Sequence, residues 1–75
     1  MTDYQRLQTL STHASVMLGV AFECAMDNAG FDGYHLHTLN AEQTAEVLRH
    51  ARSILDSRSL DFSDAEHAEG MRILF

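Results

Sequence analysis

Residues 14–26 form a stretch, Ala-Ser-Val-Met-Leu-Gly-Val-Ala-Phe-Glu-Cys-Ala-Met, that is apolar in nearly every direction around a helix axis. The apolar residues around it recur in steps of three and four, which predicts one long helix over residues 3–29. A helix that is hydrophobic on all sides is buried on all sides. The remaining chain offers only two shorter amphipathic segments to cover it, so the pattern favours assembly with a second protein chain.

The length of this predicted helix supports the same conclusion. A straight helix of 25 residues is about 38 Å long, whereas a compact globule of this size is only about 30 Å across. Gly19 lies within the helix and is either a kink or a point of close packing. We therefore expect the helix to overhang its own fold and to pair with a second copy of the chain. The expected interface residues are Leu7, Leu10, Ala14, Met17, Leu18, Ala21, Phe22 and Ala25.

The end of the first helix is marked by Gly30, which is expected to form a left-handed C-cap with Phe31 packing back. Residues 34–39 could form one short strand, but a lone strand has no partner in this chain, so a loop is predicted.

Two capping boxes mark the starts of the other helices, the first with Asn40 and Gln43, the second with Ser63 and Glu66. In each box the first side chain accepts from a helix amide, and the Gln or Glu side chain reaches back. The predicted fold is one all-α domain over residues 1–75, an antiparallel helical hairpin plus a short C-terminal helix, completed by dimerisation. Its helices are predicted over residues 3–29, 41–57 and 64–74.

The charge of the chain excludes several partners. Eleven acidic residues outnumber five basic ones, for a net charge of −6. Binding to nucleic acid requires a surplus of Lys and Arg, and anionic membranes attract the same surplus. The apolar stretch is too short to span a bilayer, and the first six residues lack the positive charge of a signal peptide. We expect a cytoplasmic protein that binds neither nucleic acid nor membrane.

His35 and His37 are the candidate metal ligands. On an extended segment, residues i and i+2 point the same way, so the two imidazoles could share a metal ion. A structural zinc site needs four ligands and a catalytic one three, and no spacing nominates the others. The alternative interpretation is two exposed loop histidines.

Four acids occur within nine residues near the C-terminus with no base among them: Asp61, Asp64, Glu66 and Glu69. They could form an acidic patch that imitates a nucleic-acid backbone and docks on a basic protein. Acids at a helix start also stabilise its dipole, so helix capping with a solvated face is the favoured interpretation.

No phosphate loop, nucleophile motif or paired catalytic carboxylate is recognisable. The predicted function is that of a small acidic protein, not an enzyme and without a cofactor, which binds and inhibits, blocks or chaperones another protein as a homodimer. One alternative is a metal- or ligand-binding protein using His35 and His37. A further alternative is an acidic decoy for a nucleic-acid-handling protein.

Overall fold

A computed structural model describes residues 1–75 as four α-helices and one 3-10 turn, with no strand. This confirms the all-α prediction, and the last two helices have the predicted bounds. Residues 34–39, predicted as a loop, contain the 3-10 turn. The elements are α1 (Asp3–Ser11), α2 (Val16–Asn28), the 3-10 turn (Leu36–Thr38), α3 (Ala41–Ser57) and α4 (Asp64–Leu74).

The prediction of one long helix over residues 3–29 is wrong, because the helix is interrupted at residues 12–15, between α1 and α2. The Thr12 hydroxyl donates to the Gln8 carbonyl at 2.9 Å, and the Ser15 amide donates to Nδ1 of His13 at 3.0 Å. Such side-chain bonds offer the backbone an alternative to the helix ladder. The interruption lets α1 fold back against α2. As a result, each helix is shorter than the longest dimension of the molecule, which is 32 Å.

Capping boxes lie at the starts of three helices, α1, α3 and α4. Those at Asn40 and Ser63 were predicted, and Thr2 with Gln5 forms a third at the start of α1. At the other end of α2, Gly30 has a φ of 87°, and the Phe31 amide donates to the Met26 carbonyl at 2.8 Å. This is the predicted left-handed cap with Phe31 packed against the core.

The core consists of fifteen buried hydrophobic residues drawn from all four helices and the segment before α4. Helix α2 packs mainly on α3, while α1 contacts α2, α3 and α4. Phe62 is buried and Leu60 is partly buried against the same core, as expected from their apolar character.

Gly70 marks the closest approach between helices. A Cβ at this position would lie 2.5 Å from Cδ1 of Leu55 and 3.1 Å from Cδ2 of Leu18. At Gly19, by contrast, a Cβ would have no such neighbour within 4 Å. Helix α2 runs through Gly19 without interruption, so the expected kink or close packing is absent there. The close packing point lies in α4.

Arg58 ends α3 with a φ of 51°, the one non-glycine residue in the left-handed region. The Ser59 amide then donates to the Ile54 carbonyl at 3.2 Å, which closes the helix end. A side chain makes this conformation costly, and it was not predicted from the sequence.

Two arginines secure the end of α4. Arg6 of α1 donates to the Ile73 carbonyl at 3.0 Å, and Nε of Arg52 in α3 donates to the Leu74 carbonyl at 2.8 Å. The Arg52 guanidinium also lies 5.1 Å from the centre of the Phe75 ring. The last carbonyls of a helix lack intrahelical partners, and here side chains from two other helices supply them.

Candidate protein interaction surface

The eight residues predicted at a dimer interface lie mostly inside the single chain. Met17 is partly buried against the core, and Ala14 is exposed in the loop before α2. The other six are buried in the core, so in this fold they are covered by the chain itself. Their burial follows from the break at residues 12–15, which brings α1 onto α2. The six are Leu7, Leu10, Leu18, Ala21, Phe22 and Ala25.

The outward face of α2 nevertheless carries two exposed valines. Val16 is 78% exposed and Val20 is 37% exposed. Glu23 and Asp27 continue the same line toward the C-terminal end, and both are exposed. The spacing of four, three and four residues places all four side chains on one face of the helix. We call Val16, Val20, Glu23 and Asp27 the α2 stripe.

The sequence places valines outside because α2 is apolar at almost every position. Its inward side is fixed by five buried residues, and the α2 stripe lies opposite them. Two apolar side chains of this helix, Val16 and Val20, therefore remain exposed. Periodicity could not show which side the rest of the chain would cover. The buried five are Leu18, Ala21, Phe22, Ala25 and Met26.

Two small residues border the α2 stripe. Gly19 lies on one side, with open space where a Cβ would be. Cys24 lies on the other side as a free, partly buried thiol packed against the core. Small side chains at the edge of a helix face allow the backbone of a neighbouring helix to approach closely.

The charges of the α2 stripe are uncompensated within the chain. Neither Glu23 nor Asp27 takes part in an ion pair. Residues 7–48 contain five acids and no Lys or Arg. The helix therefore presents an apolar half, near its N-terminal end, followed by an acidic half.

The predicted acidic patch behaves differently, because most of its carboxylates have partners within the molecule. Asp64 lies 3.3 Å from Nη1 of Arg58, and Glu69 pairs with Arg72 and lies 3.8 Å from Nε2 of His13. Asp61 alone is exposed without an ion pair.

Glu66 is the best-anchored member of that patch. It accepts from the Ser63 amide at 2.8 Å and from the Ser15 hydroxyl at 2.9 Å, and so ties α4 to the start of α2. The Ser63 amide, followed by the Ser15 hydroxyl, holds the pKa of Glu66 below its ordinary value. Arg72 likewise lowers the pKa of Glu69. These contacts agree with helix capping and internal pairing.

His35 and His37 lie together, with ring centroids 5.5 Å apart and planes 20° from parallel. The rings stack in the exposed 3-10 segment. No group of three or more His, Cys, Asp or Glu side chains in the structure could hold a metal ion. The structure therefore places no third candidate ligand beside His35 and His37.

The one cavity is an open depression of about 350 Å³ between the starts of α1 and α3. Thr2 in its wall is engaged in a capping box, and the buried Thr44 hydroxyl donates to the Asn40 carbonyl at 2.8 Å. These polar groups are satisfied locally, so they do not converge on a ligand. The lining residues are Thr2, Asp3, Tyr4, Leu39, Ala41 and Thr44.

No protein family, curated protein or solved structure matches this chain. None of its helices combines the length and apolar character needed to cross a membrane. The α2 stripe is thus characterised by its own geometry: two exposed valines followed by two unpaired acids along one face of a helix.

Proposed function

We propose that this protein is a non-enzymatic interaction protein that binds another protein through the α2 stripe and thereby modulates it. The observation that carries the proposal is the pair of valines one turn apart on the outward side of α2, with Val16 at 78% exposure. Polar residues are the usual choice on the outer face of a surface helix. Two adjacent β-branched apolar residues there suit burial against a partner.

The energetics support a modest but specific contact. Full burial of an exposed valine side chain contributes about 1.5–3 kcal/mol. Val16, at 78% exposure, offers a partner most of that gain, and Val20, at 37%, offers a smaller share. Recognition along one helix face, with apolar anchors at i and i+4, is a recurrent mode of protein binding. Glu23 and Asp27 lie beyond the anchors and supply orientation through charge.

The test compares the unmodified protein with the double variant Val16→Thr/Val20→Thr. Threonine keeps the branched shape and nearly the helix propensity of valine, but has a hydroxyl group in place of one methyl group. Immobilised protein is used to capture partners from cells that express it, and each partner is then purified and its affinity measured directly. We expect the double variant to lose about tenfold or more in affinity for such a partner, because two apolar contacts become polar.

The matched control is Phe75→Thr, which removes an exposed aromatic side chain, 59% exposed, from outside α2. It should bind the same partner as tightly as the unmodified protein. Circular dichroism should show equal helix content in all three proteins. Equal affinity of the Val16→Thr/Val20→Thr variant for every purified partner would contradict the proposed function.

A further inference from the structure

We infer that the occupant of the α2 stripe is a basic amphipathic helix lying antiparallel to α2. This inference rests on the proposed function and adds the chemistry and direction of the partner. The partner helix would place apolar side chains against Val16 and Val20, and Lys or Arg side chains against Glu23 and Asp27.

Charge complementarity determines the sign of the charge that the partner carries. Glu23 and Asp27 are exposed, belong to no ion pair, and lie on a helix that contains no base. The whole chain carries −6, so an acidic partner, including a second copy, would be repelled as it approached. A basic partner would be attracted and oriented by the same charges.

Helix dipoles determine the direction. The C-terminal end of α2 carries the partial negative charge of its dipole in addition to Glu23 and Asp27. The favourable neighbour there is the positive, N-terminal end of another helix. The start of α2 adds nothing to this choice, because the Ser15 hydroxyl there already donates to the Glu66 carboxylate.

The recognition pattern follows from the spacing. Read antiparallel, the α2 stripe runs Asp27, Glu23, Val20, Val16, with gaps of four, three and four residues. A complementary helix therefore carries Lys or Arg at its first and fifth positions and large apolar residues at its eighth and twelfth. Gly19 beside the valines lets the apolar half of that helix approach closely.

The experiment uses synthetic helical peptides and the full 75-residue chain. The test peptide has Lys at positions one and five and Leu at positions eight and twelve of an Ala- and Gln-rich helix. One control peptide has the same composition with the Lys and Leu positions exchanged, and a second has Glu in place of Lys. Fluorescence anisotropy measures each affinity at low and at physiological salt.

We expect the test peptide to bind at least about fivefold more tightly than the exchanged peptide, and to weaken as salt rises, since exposed ion pairs are screened. Glu23→Gln/Asp27→Asn should weaken it about fivefold. Asp56→Asn/Asp61→Asn removes the same net charge from exposed acids outside α2 and should leave affinity within about twofold, because these acids lie outside the stripe.

Several results would overturn the inference. If the Glu peptide bound as tightly as the Lys peptide, or if the two pairs of acid substitutions caused equal losses of affinity, the basic charge of the partner would be contradicted. If the exchanged peptide bound as tightly as the test peptide, the antiparallel direction would be contradicted. A concentration-dependent dimer in sedimentation, abolished by Val16→Thr/Val20→Thr, would make a second copy the occupant.

These failures are distinguishable from failure of the proposed function. If a purified natural partner depends on Val16 and Val20 but is unaffected by Glu23→Gln/Asp27→Asn, the function stands and the basic helix is wrong. If the valine substitutions leave every partner unaffected, the proposed function itself fails.

Discussion

Replacement of Gly70 by alanine tests the packing of α4 most directly, because two opposing effects can be compared. Alanine in place of glycine within a helix gains about 1 kcal/mol of helix propensity. Here the new Cβ would lie 2.5 Å from Cδ1 of Leu55, whereas carbon atoms pack optimally at about 3.5–4.0 Å. Leu55 is fully buried and cannot move its side chain into solvent.

The overlap should outweigh the gain in propensity. Overpacking a well-packed core costs about 1–3 kcal/mol, and an overlap of about 1 Å belongs at the upper end of that range. We therefore expect Gly70→Ala to lower the free energy of unfolding by about 1–2 kcal/mol. For a domain of this size, the melting temperature should fall by about 5–15 °C.

Gly19→Ala is the matched control, since Gly19 is also helical and a Cβ there meets nothing within 4 Å. It should raise stability by about 0.5–1 kcal/mol. Urea unfolding followed by circular dichroism measures both variants. A Gly70→Ala protein as stable as Gly19→Ala would refute the close approach of α4.

A compensating substitution separates overlap from other effects. Leu55→Val removes a carbon next to the site where Gly70→Ala adds one, so the pair nearly conserves core volume. The double variant should be more stable than the sum of the two single changes predicts. Strict additivity would mean that Gly70 and Leu55 are not in contact.

Three further outcomes follow from the structure. Arg58→Gly should raise the free energy of unfolding in urea by about 0.5–1 kcal/mol, since glycine adopts the left-handed conformation without strain, whereas Arg58→Ala should bring no gain. Glu66 has a lowered pKa in the folded protein, so its stabilising effect is present above its ordinary pKa and is lost as the pH falls through the lowered value. Glu66→Gln should therefore flatten the acid side of a plot of unfolding free energy against pH, and parallel plots for the two proteins would contradict this. Leu7→Ala should cost about 2–5 kcal/mol in thermal or urea unfolding, while Val16→Ala, at an exposed site, should change stability by less than about 0.5 kcal/mol.

The sequence predicted those parts of the fold that depend on local chemistry. The boxes at Asn40 and Ser63 located the starts of α3 and α4, and Gly30 located the end of α2. The same signal, Thr2 followed by Gln5, marks the start of α1. The three hydroxyl residues among residues 11–15 were also a readable signal that the first helix would break.

Features that depend on tertiary packing could not be predicted in this way. Nothing in the sequence distinguishes Gly70, which faces Leu55, from Gly19, which faces open space. Periodicity identified α2 as more apolar than its neighbours could cover, but assigned Ala21 and Phe22 to an interface although they are buried. The exposed valines became visible only when the position of α3 against α2 was known.

The bonds from Arg6 to Ile73 and from Arg52 to Leu74 have a consequence for biosynthesis. Leu7 and Leu10, near the beginning of the chain, share a core with Ile73 and Leu74, near its end. A growing polypeptide cannot complete that core until α4 has emerged, and closing so long a loop delays folding relative to a purely local helix pair. Translation products that stop before α4 would display their leucines to solvent, which makes them substrates for proteolytic quality control.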